Sequence, residues 1–436
     1  MNESIIRTPS VAEEMHGLLK RLFPICRSIT GNGVRETLRI LKQQIPIELY
    51  EVPSGTSVFD WTVPKEWNIR DAYVMDAKGN KIINFRDCNL HVLNYSTPIH
   101  KKVSLEELKK HLYSLPDHPD WVPYRTSYYK EDWGFCVAYN VLERLEDTEY
   151  EVFIDSTLTS GHLTFGECYI PGDLTDEILI SAHVCHPSLA NDNLSGISVA
   201  TFLAAQLLKE KPRYSYRFLF IPGTIGAITW LSLNEGNVHK IRHGFVASLL
   251  GDSGPFTYKK SRRGSCEIDQ VMEYILSQHG NSNSIIDFSP YGYDERQFCS
   301  PGFNLPVGCL SRTPYGQYVQ YHTSADNVDF VTPQALEESL AMVMEVVRTL
   351  EGNKTFINTN PKCEPQLGKR GLYSLTGGNN DAKEFQMSLL WILNLSDGTN
   401  SLLDISRRAN ISFESIRYAS DKLVESGLLQ ERPSSA

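Results

Sequence analysis

The sequence predicts an α/β protein, a three-layer α/β/α sandwich with an inserted small β-rich domain and a C-terminal winged-helix domain. Three observations predict this architecture. Apolar strand patterns alternate with amphipathic helix patterns from about residue 126 to 350, which is typical of α/β sandwiches. Short segments of alternating polarity fill residues 51–125. Three helix patterns followed by LLQERP end the chain.

The sandwich is predicted as one discontinuous domain, residues 1–50 and 126–360. Residues 11–44 indicate helices that break near CRSITGNG. The predicted strands of the second part are EILISAH, YRFLFIPG, GFVASLLGD and NLPVGCL. Its predicted helices are residues 196–209, residues 224–235, CEIDQVMEYILSQ and TPQALEESLAMVMEVVRTLEG. Active sites of such folds gather at the carboxyl ends of the strands.

The two smaller domains are predicted from turn and capping residues. Residues 51–125 contain a turn at Lys78-Gly79-Asn80 and a short helix, SLEELKKHLYSL, that Ser104 would cap. Residues 375–436 are predicted to form the winged helix. Ser412 would cap its third helix, and Gly427 would end that helix in left-handed geometry.

Composition restricts the class of partner and the compartment. The 436 residues carry a net charge of -10, which argues against a nucleic-acid or anionic-membrane partner because either needs a basic face. The N-terminus has no apolar secretory segment, and no run of 18 apolar residues would span a bilayer. Nine cysteines, irregularly spaced and without a CxxC motif, favour a reduced, cytoplasmic protein.

The winged helix raises the question of DNA binding, because such modules often bind DNA. Neutralising phosphates needs several cations on the recognition face. The charged residues of the third helix sum to -1; they are Glu414, Arg417, Asp421, Lys422 and Glu425. We therefore expect a structural role, a protein contact or self-association rather than nucleic-acid binding.

Candidate metal ligands follow several predicted strands. His183 and His186 lie at the end of EILISAH, and Asp192 precedes the next helix. Asp252 follows a second strand, and His322 lies in a polar loop before the last helix of the sandwich. Imidazole and carboxylate groups are good zinc ligands. Each residue alone has a simpler interpretation as an ordinary loop residue, but their recurrence at strand exits of one sheet favours a metal site.

Several segments occur in an order that resembles the zinc aminopeptidase family, which also contains glutaminyl cyclases and glutamate carboxypeptidases. They are HVC, NDNLSG, PGTIG, LGD and HTSAD, together with YDERQFCSPGFNLP. CRSITGNG, the inserted domain and the winged helix resemble a bacterial subgroup called polysaccharide-biosynthesis proteins with an aminopeptidase-like domain. The resemblance implies a zinc-exopeptidase-like sandwich.

The resemblance also implies roles for individual residues. His183 matches the histidine of the first metal, Asp192 the bridging carboxylate, and Asp252 the third ligand of the first metal. His322 matches the histidine of the second metal. His186 is an additional histidine that could ligate in place of His183 or beside it.

Two departures from the family pattern change these expectations. Cys185 stands where the family has an aspartate that orients a ligand, and a thiol accepts only weakly from an imidazole N–H. The Glu-Glu pair of the family, general base and second-metal ligand, falls on Gly223-Thr224. We therefore expect one zinc ion rather than two. Asp294 and Glu295 could supply the missing catalytic carboxylate, the alternative being a solvated loop pair.

Arg312 and Tyr315 are candidates for binding a substrate carboxylate or a sugar acid, because they lie in a tyrosine-rich loop near His322. Two functions remain open from the sequence. The first is a zinc-dependent hydrolase of an amide bond in a small peptide or an amide-bearing sugar. The second is an inactive, metal-retaining binding or assembly protein linked to surface polysaccharide synthesis.

Overall fold

The computed structural model describes residues 9–280, 282–372 and 380–432. The chain divides into two compact units, one up to Val343 and one from Met344, and each is described by itself. Parts of the predicted domains, residues 1–8, 281, 375–379 and 433–436, lie outside the described residues.

The helices and strands of the described residues are numbered here in chain order. The helices are α1 Val11–Leu22, α2 Asn32–Leu41, α3 Leu105–Lys109, α4 Tyr139–Leu142, α5 Gly196–Leu207, α6 Ile225–Asn234, α7 Glu267–Gln278, α8 Glu295–Phe298, α9 Pro333–Gly352, α10 Asn380–Leu395, α11 Leu402–Ala409 and α12 Phe413–Glu425. The strands are β1 Glu48–Pro53, β2 Ser57–Val58, β3 Trp61–Thr62, β4 Glu66–Met75, β5 Lys81–Asn84, β6 Ile99–Ser104, β7 Leu112–Tyr113, β8 Phe135–Cys136, β9 Glu149–Thr159, β10 His162–Ile170, β11 Glu177–His183, β12 Ser215–Ile221, β13 Ile241–Ala247, β14 Thr257–Lys259, β15 Ser284–Ile286, β16 Val307–Ser311, β17 Thr355–Asn358, β18 Asp397–Ser401 and β19 Leu429–Glu431.

An eight-stranded sheet forms the centre of the first unit, in the order β1-β10-β12-β11-β13-β16-β14-β15. Its central strands β12, β11, β13 and β16 are parallel, whereas β1 and β10 run antiparallel at one side. Every residue of β11 is buried, as expected for a parallel strand covered on both faces. Helix α5 packs on β11 and β13, and α7 packs on β13 and β16. The carboxyl ends of β11, β12 and β13 therefore lie side by side.

A second, antiparallel sheet of the first unit has the order β5-β4-β9-β6. Its strand β9 comes from beyond residue 125, where we place the end of the inserted domain, while β1 belongs to the large sheet. Arg35 on α2 contacts both sheets: it donates to Glu66 on β4 and to Glu51 on β1, each over 2.6 Å. The domain bounds themselves stay a prediction.

The second unit has the elements of a winged helix. Strand β17 pairs antiparallel with β18 and β19, and α10, α11 and α12 pack on one another. Ser412 accepts a hydrogen bond from the Ser415 amide over 3.1 Å, and Gly427 has a φ of +71°. Both features agree with the predicted cap and end of the third helix. In the described part of the chain, none of the helices has the length and apolar character needed to cross a membrane.

Candidate metal centre

Three histidines surround one buried carboxylate at the carboxyl end of the large sheet. His183 Nε2 lies 2.9 Å from Asp192 Oδ1, and His322 Nε2 lies 2.9 Å from Asp192 Oδ2. His186 Nδ1 lies 3.4 Å from Asp192 Oδ2. Asp192 is fully buried, whereas the His322 side chain is about one third exposed. The structure thus brings together four of the five predicted metal ligands, with His322 on the accessible side.

Each of these residues is placed by a different piece of backbone. His183 is the last residue of β11, and His186 follows in the loop. Asp192 lies in an irregular helical turn, Ala190–Ser195, directly before α5. His322 has a φ of +55°, which few residues other than glycine adopt, and the Tyr124 amide donates to its carbonyl over 2.7 Å. A strained backbone at this position is consistent with a functional role.

The charges of the site suit metal binding. Burial acts to raise the pKa of Asp192, but the surrounding histidines outweigh it and hold that pKa well below its usual range. Burial lowers the pKa of His183 and of His322. Burial also acts to lower the pKa of His186, but the Asp192 carboxylate outweighs it and raises that pKa. A metal requires an ionised carboxylate and neutral imidazoles. Asp192, His183 and His322 are shifted towards these forms, whereas the raised pKa of His186 favours its protonated form.

The donor set fits zinc. With zinc–nitrogen bonds of about 2.0–2.1 Å, tetrahedral ligand atoms lie about 3.3 Å apart. His183 lies 2.9 Å from Oδ1 of Asp192, whereas His322 and His186 lie 2.9 and 3.4 Å from its Oδ2, so the imidazoles are divided between the two oxygens. Ligand atoms of His183, His186 and Asp192 all lie within 4.8 Å of one another. The Nδ1 atom of His183 has no hydrogen-bond partner among the described residues, in line with the expected weak support for this ligand.

Asp252, the fifth predicted ligand, lies outside this group. Strand β13 ends at Ala247, so Asp252 follows five residues after the strand rather than at its end. Its carboxylate accepts from the Asn191 side chain over 3.0 Å, from the Gly254 amide over 2.8 Å and from the Thr313 hydroxyl over 2.7 Å. A role as metal ligand stays a prediction, and these contacts favour a role in holding the loop that carries Asn191 and Asp192.

The two candidate catalytic carboxylates differ in their surroundings. Both are buried, so the solvated-pair interpretation is wrong. Glu295 forms an ion pair with Lys259. Asp294 has no hydrogen-bond partner for either oxygen among the described residues. Burial, with a contribution from Glu295, raises the pKa of Asp294 to about 8. Their catalytic role stays a prediction.

The two candidate substrate-binding residues also differ. The nitrogens of Arg312 donate to Gly254 O over 2.8 Å, to Ala335 O over 3.1 Å and to Glu338 Oε2 over 3.0 Å. This buried arrangement favours a structural role, because the guanidinium is already engaged. Tyr315 is partly exposed and its ring lies beside those of neighbouring tyrosines. Substrate binding by either residue stays a prediction.

An aromatic shell around the histidines was not predicted. The Tyr293 ring stacks on His183 with centroids 5.0 Å apart, and the Tyr321 ring stacks on His322 at 4.0 Å. The Tyr124 ring contacts both His186 and His322 edge-on at 5.1 Å. The sequence does show several tyrosines in the loops before and after these histidines. Sequence alone could not indicate which of their rings would contact the histidines.

Arg27, in CRSITGNG, was likewise not predicted as part of the site. It is buried, and its Nε donates to the His186 carbonyl over 2.8 Å while Nη1 donates to the Leu22 carbonyl over 2.7 Å. Ser28 next to it donates to Asn94 over 2.6 Å. The motif therefore fixes the loop that carries His186 and links it to the segment before residue 125.

The large sheet and the side chains at the ends of its parallel strands define an aminopeptidase-like α/β protein. A zinc aminopeptidase from Bacillus subtilis has a similar structure, with a TM-score of 0.57, 13% identity, and coverage of 79% of this chain and 96% of its own. A peptidase M28 precursor from Shewanella amazonensis gives a TM-score of 0.53 and 12% identity, covering 77% and 94%. These likenesses confirm the predicted fold class.

More specifically, the chain belongs to the family described as domain of unknown function DUF4910, which matches residues 16–353, and residues 354–431 match a winged helix-turn-helix family. A Clostridium acetobutylicum protein is 51% identical over 430 residues, 99% of each chain; its provisional name is polysaccharide biosynthesis protein with aminopeptidase-like domain. A crystal structure from the same species, provisionally described as a peptidase, has a TM-score of 0.91 and 51% identity, covering 97% of this chain and 96% of its own. The predicted resemblance is thereby confirmed.

Proposed function

We propose that this protein is a zinc-dependent hydrolase that cleaves an amide bond in a small peptide or an amide-bearing sugar. The observation that carries the proposal is the convergence of three imidazoles on the single buried carboxylate of Asp192. The names of its structural neighbours, zinc aminopeptidase and peptidase, support the same class of reaction. We expect one zinc ion per chain.

The residues that would hold the ion are His183, His186, Asp192 and His322. A bound zinc would polarise the amide carbonyl and favour ionisation of water at neutral pH. The protein supplies the position of the reacting groups: Asp192 anchors the cluster, and His322 lies on its exposed side. Tyr315, with its neighbours, forms an amphipathic wall at which a sugar or an apolar side chain could stack.

The test begins with metal analysis of protein purified without chelator and reconstituted with zinc. We expect about one zinc per chain, and well under one would remove the proposal. A panel of aminoacyl amides and N-acetyl-sugar amides is then assayed. Turnover should depend on zinc and be abolished in Asp192→Asn, since that change removes the charge around which the imidazoles gather. Asp329→Asn, an exposed carboxylate near His322 in the chain, serves as the matched control.

One observation favours a second function. Gly223 and Thr224 provide no carboxylate where the related peptidases are expected to have two, so a metal-retaining binding or assembly protein linked to surface polysaccharide synthesis is the alternative. Full zinc occupancy with no turnover on any member of the panel would favour it. The name of the relative supports the polysaccharide link under either function.

The remaining expectations belong to the same proposal. We expect a cytoplasmic protein without a nucleic-acid or membrane partner. The winged helix would contact another protein or a second copy of this chain. Co-purification with the full chain, compared with a chain that ends before residue 354, tests that contact.

A further inference from the structure

The backbone at Gly223 leaves room beside the metal centre. Gly223 lies between the end of β12 and the start of α6 and is partly exposed. A Cβ atom built on it would lie 3.3 Å from His183 Cβ and 3.4 Å from Asp294 Oδ1, with nothing nearer. The first distance is slightly shorter than an ordinary contact and the second is ordinary, so a Cβ atom would fit here with a small adjustment of its neighbour. That atom would lie between a metal ligand and the carboxylate of Asp294.

The Asp294 carboxylate is unusual because it is buried without a partner. Both oxygens lack a hydrogen-bond partner among the described residues, and a buried charge of this kind is costly. Other buried carboxylates nearby are engaged. Glu295 pairs with Lys259, and Asp326 accepts from the amides of Asn191 and Asp192. Asp294 therefore has free lone pairs that face the room beside Gly223.

We propose that Asp294 is the catalytic base of this enzyme, accepting a proton from a water molecule that binds on the side of its carboxylate facing Gly223. The proposal rests on the amide hydrolysis proposed above. As the water oxygen bonds to the amide carbonyl carbon, one O–H proton passes to an Asp294 oxygen. When the C–N bond breaks, that proton moves from Asp294 to the leaving nitrogen. The products are a carboxylic acid and an amine, and the aspartate returns to its starting ionisation.

Two further observations fit this role. A base works best when its pKa lies near the operating pH, and the pKa of Asp294 is raised to about 8 by burial and by Glu295, so the ionised form that can accept a proton grows as the pH approaches 8. Glu295 is less suited, because its charge is neutralised by Lys259. The Cys185 thiol donates to the Gly223 carbonyl over 3.7 Å, so it is engaged on the backbone of the same residue.

The experiment compares Asp294→Asn with the matched control Asp287→Asn, an exposed aspartate seven residues earlier. Each variant is assayed on the best substrate of the amide panel, and zinc content and thermal unfolding are measured in parallel. We expect kcat of Asp294→Asn to fall about 10²–10⁴-fold, the usual effect of losing a general base. KM, zinc content and the fold should stay as in the wild type, and Asp287→Asn should match the wild type throughout.

A double variant, Asp294→Asn with Gly223→Glu, returns a carboxylate through the same room, and we expect it to recover at least about tenfold in kcat. An active wild type whose rate survives Asp294→Asn within about threefold would overturn the role of Asp294 alone. A loss of zinc in Asp294→Asn would also overturn it, because Asp294 would then be a metal ligand. A loss of rate in Glu295→Gln but not in Asp294→Asn would overturn it as well. A zinc-loaded but inactive wild type would instead overturn the hydrolase proposal itself.

Discussion

Asp326 holds the backbone on which the metal centre is built. Its Oδ1 accepts from the Asn191 amide over 2.6 Å and its Oδ2 from the Asp192 amide over 3.0 Å. Both amides are buried, so nothing else would satisfy them. Asp326 lies four residues after His322, and a single short segment therefore positions ligands on two sides of the cluster.

Replacing this carboxylate should weaken zinc binding. In Asp326→Ala both amides lose their acceptor, at about 1–3 kcal/mol each in stability, and Asp192 loses its position. We expect zinc affinity to fall about 10–100-fold, as is usual for residues that orient ligands. Competition with a chromophoric chelator measures the affinity, and urea unfolding measures the stability. Asp329→Ala should change neither; equal affinities for Asp326→Ala and the wild type would refute the positioning role.

The raised pKa of Asp294 predicts a pH-dependent stability that needs no substrate. Below about pH 4 the carboxyl is protonated in both folded and unfolded chains. Between about pH 4 and 8 the unfolded chain ionises while the folded one, with a pKa of about 8, keeps its proton. Folding stability therefore falls as pH rises across this window. The charges that act on the group include Glu295 and Arg296.

The measurement uses metal-free protein, unfolded by urea at a series of pH values with a chelator present. Because Asn does not titrate, Asp294→Asn should gain stability relative to the wild type as pH rises from about 4 to 8, and the difference should level off above that range. The comparison cancels the titration of other groups, including Asp326, whose pKa burial raises to about 7. A difference independent of pH would show that Asp294 is already ionised in the folded protein.

At the scale of elements, apolar pattern predicted the strands and helices that build the site. EILISAH corresponds to β11, and the predicted helix 196–209 corresponds to α5. The pattern failed where a distant partner decides the structure. The helix predicted over SLEELKKHLYSL ends at Lys109, because Leu112 and Tyr113 pair with β8 instead. Pairing between segments this far apart in sequence overrides local helix propensity.

The site could be predicted from the sequence only for the residues that lie in the recognisable segments. His183, Asp192 and His322 come from segments that follow predicted strands or precede helices, and whose order resembles that of the zinc aminopeptidases. The role of Arg27 was not predicted. Its contact with His186 joins residues 159 positions apart, and the local sequence pattern does not indicate such a contact. Asp252 was placed at a strand end because GFVASLLGD is apolar almost throughout, whereas the strand stops at Ala247. Apolar residues in a buried loop are indistinguishable from a strand by pattern alone.

At the scale of the whole molecule, the chain joins an aminopeptidase-like unit to a winged helix. The small sheet of the first unit takes strands from both sides of residue 125, the predicted end of the insertion. The sequence does not indicate which strand pairs with β9, because its partner β4 lies some 80 residues earlier. The helices and caps of the winged helix are local features, whereas the pairing of β17 with β18 and β19 is again between distant segments.

We expect the winged helix not to bind DNA, because of the charges on the surface of α12. Its charged side chains sum to -1, and Lys422 is paired with Glu425 over 2.8 Å. We expect the full-length protein not to shift a generic duplex at low salt, where non-specific binders bind more tightly than their Kd of about 10⁻⁴–10⁻⁶ M at physiological salt. The double variant Glu414→Lys with Asp421→Lys reverses two exposed charges on this helix and should bind DNA weakly and in a salt-sensitive way. It serves as the positive control that the assay detects weak binding. A shift by the unaltered protein that fades with salt would mean that cations outside α12 form a phosphate-binding face.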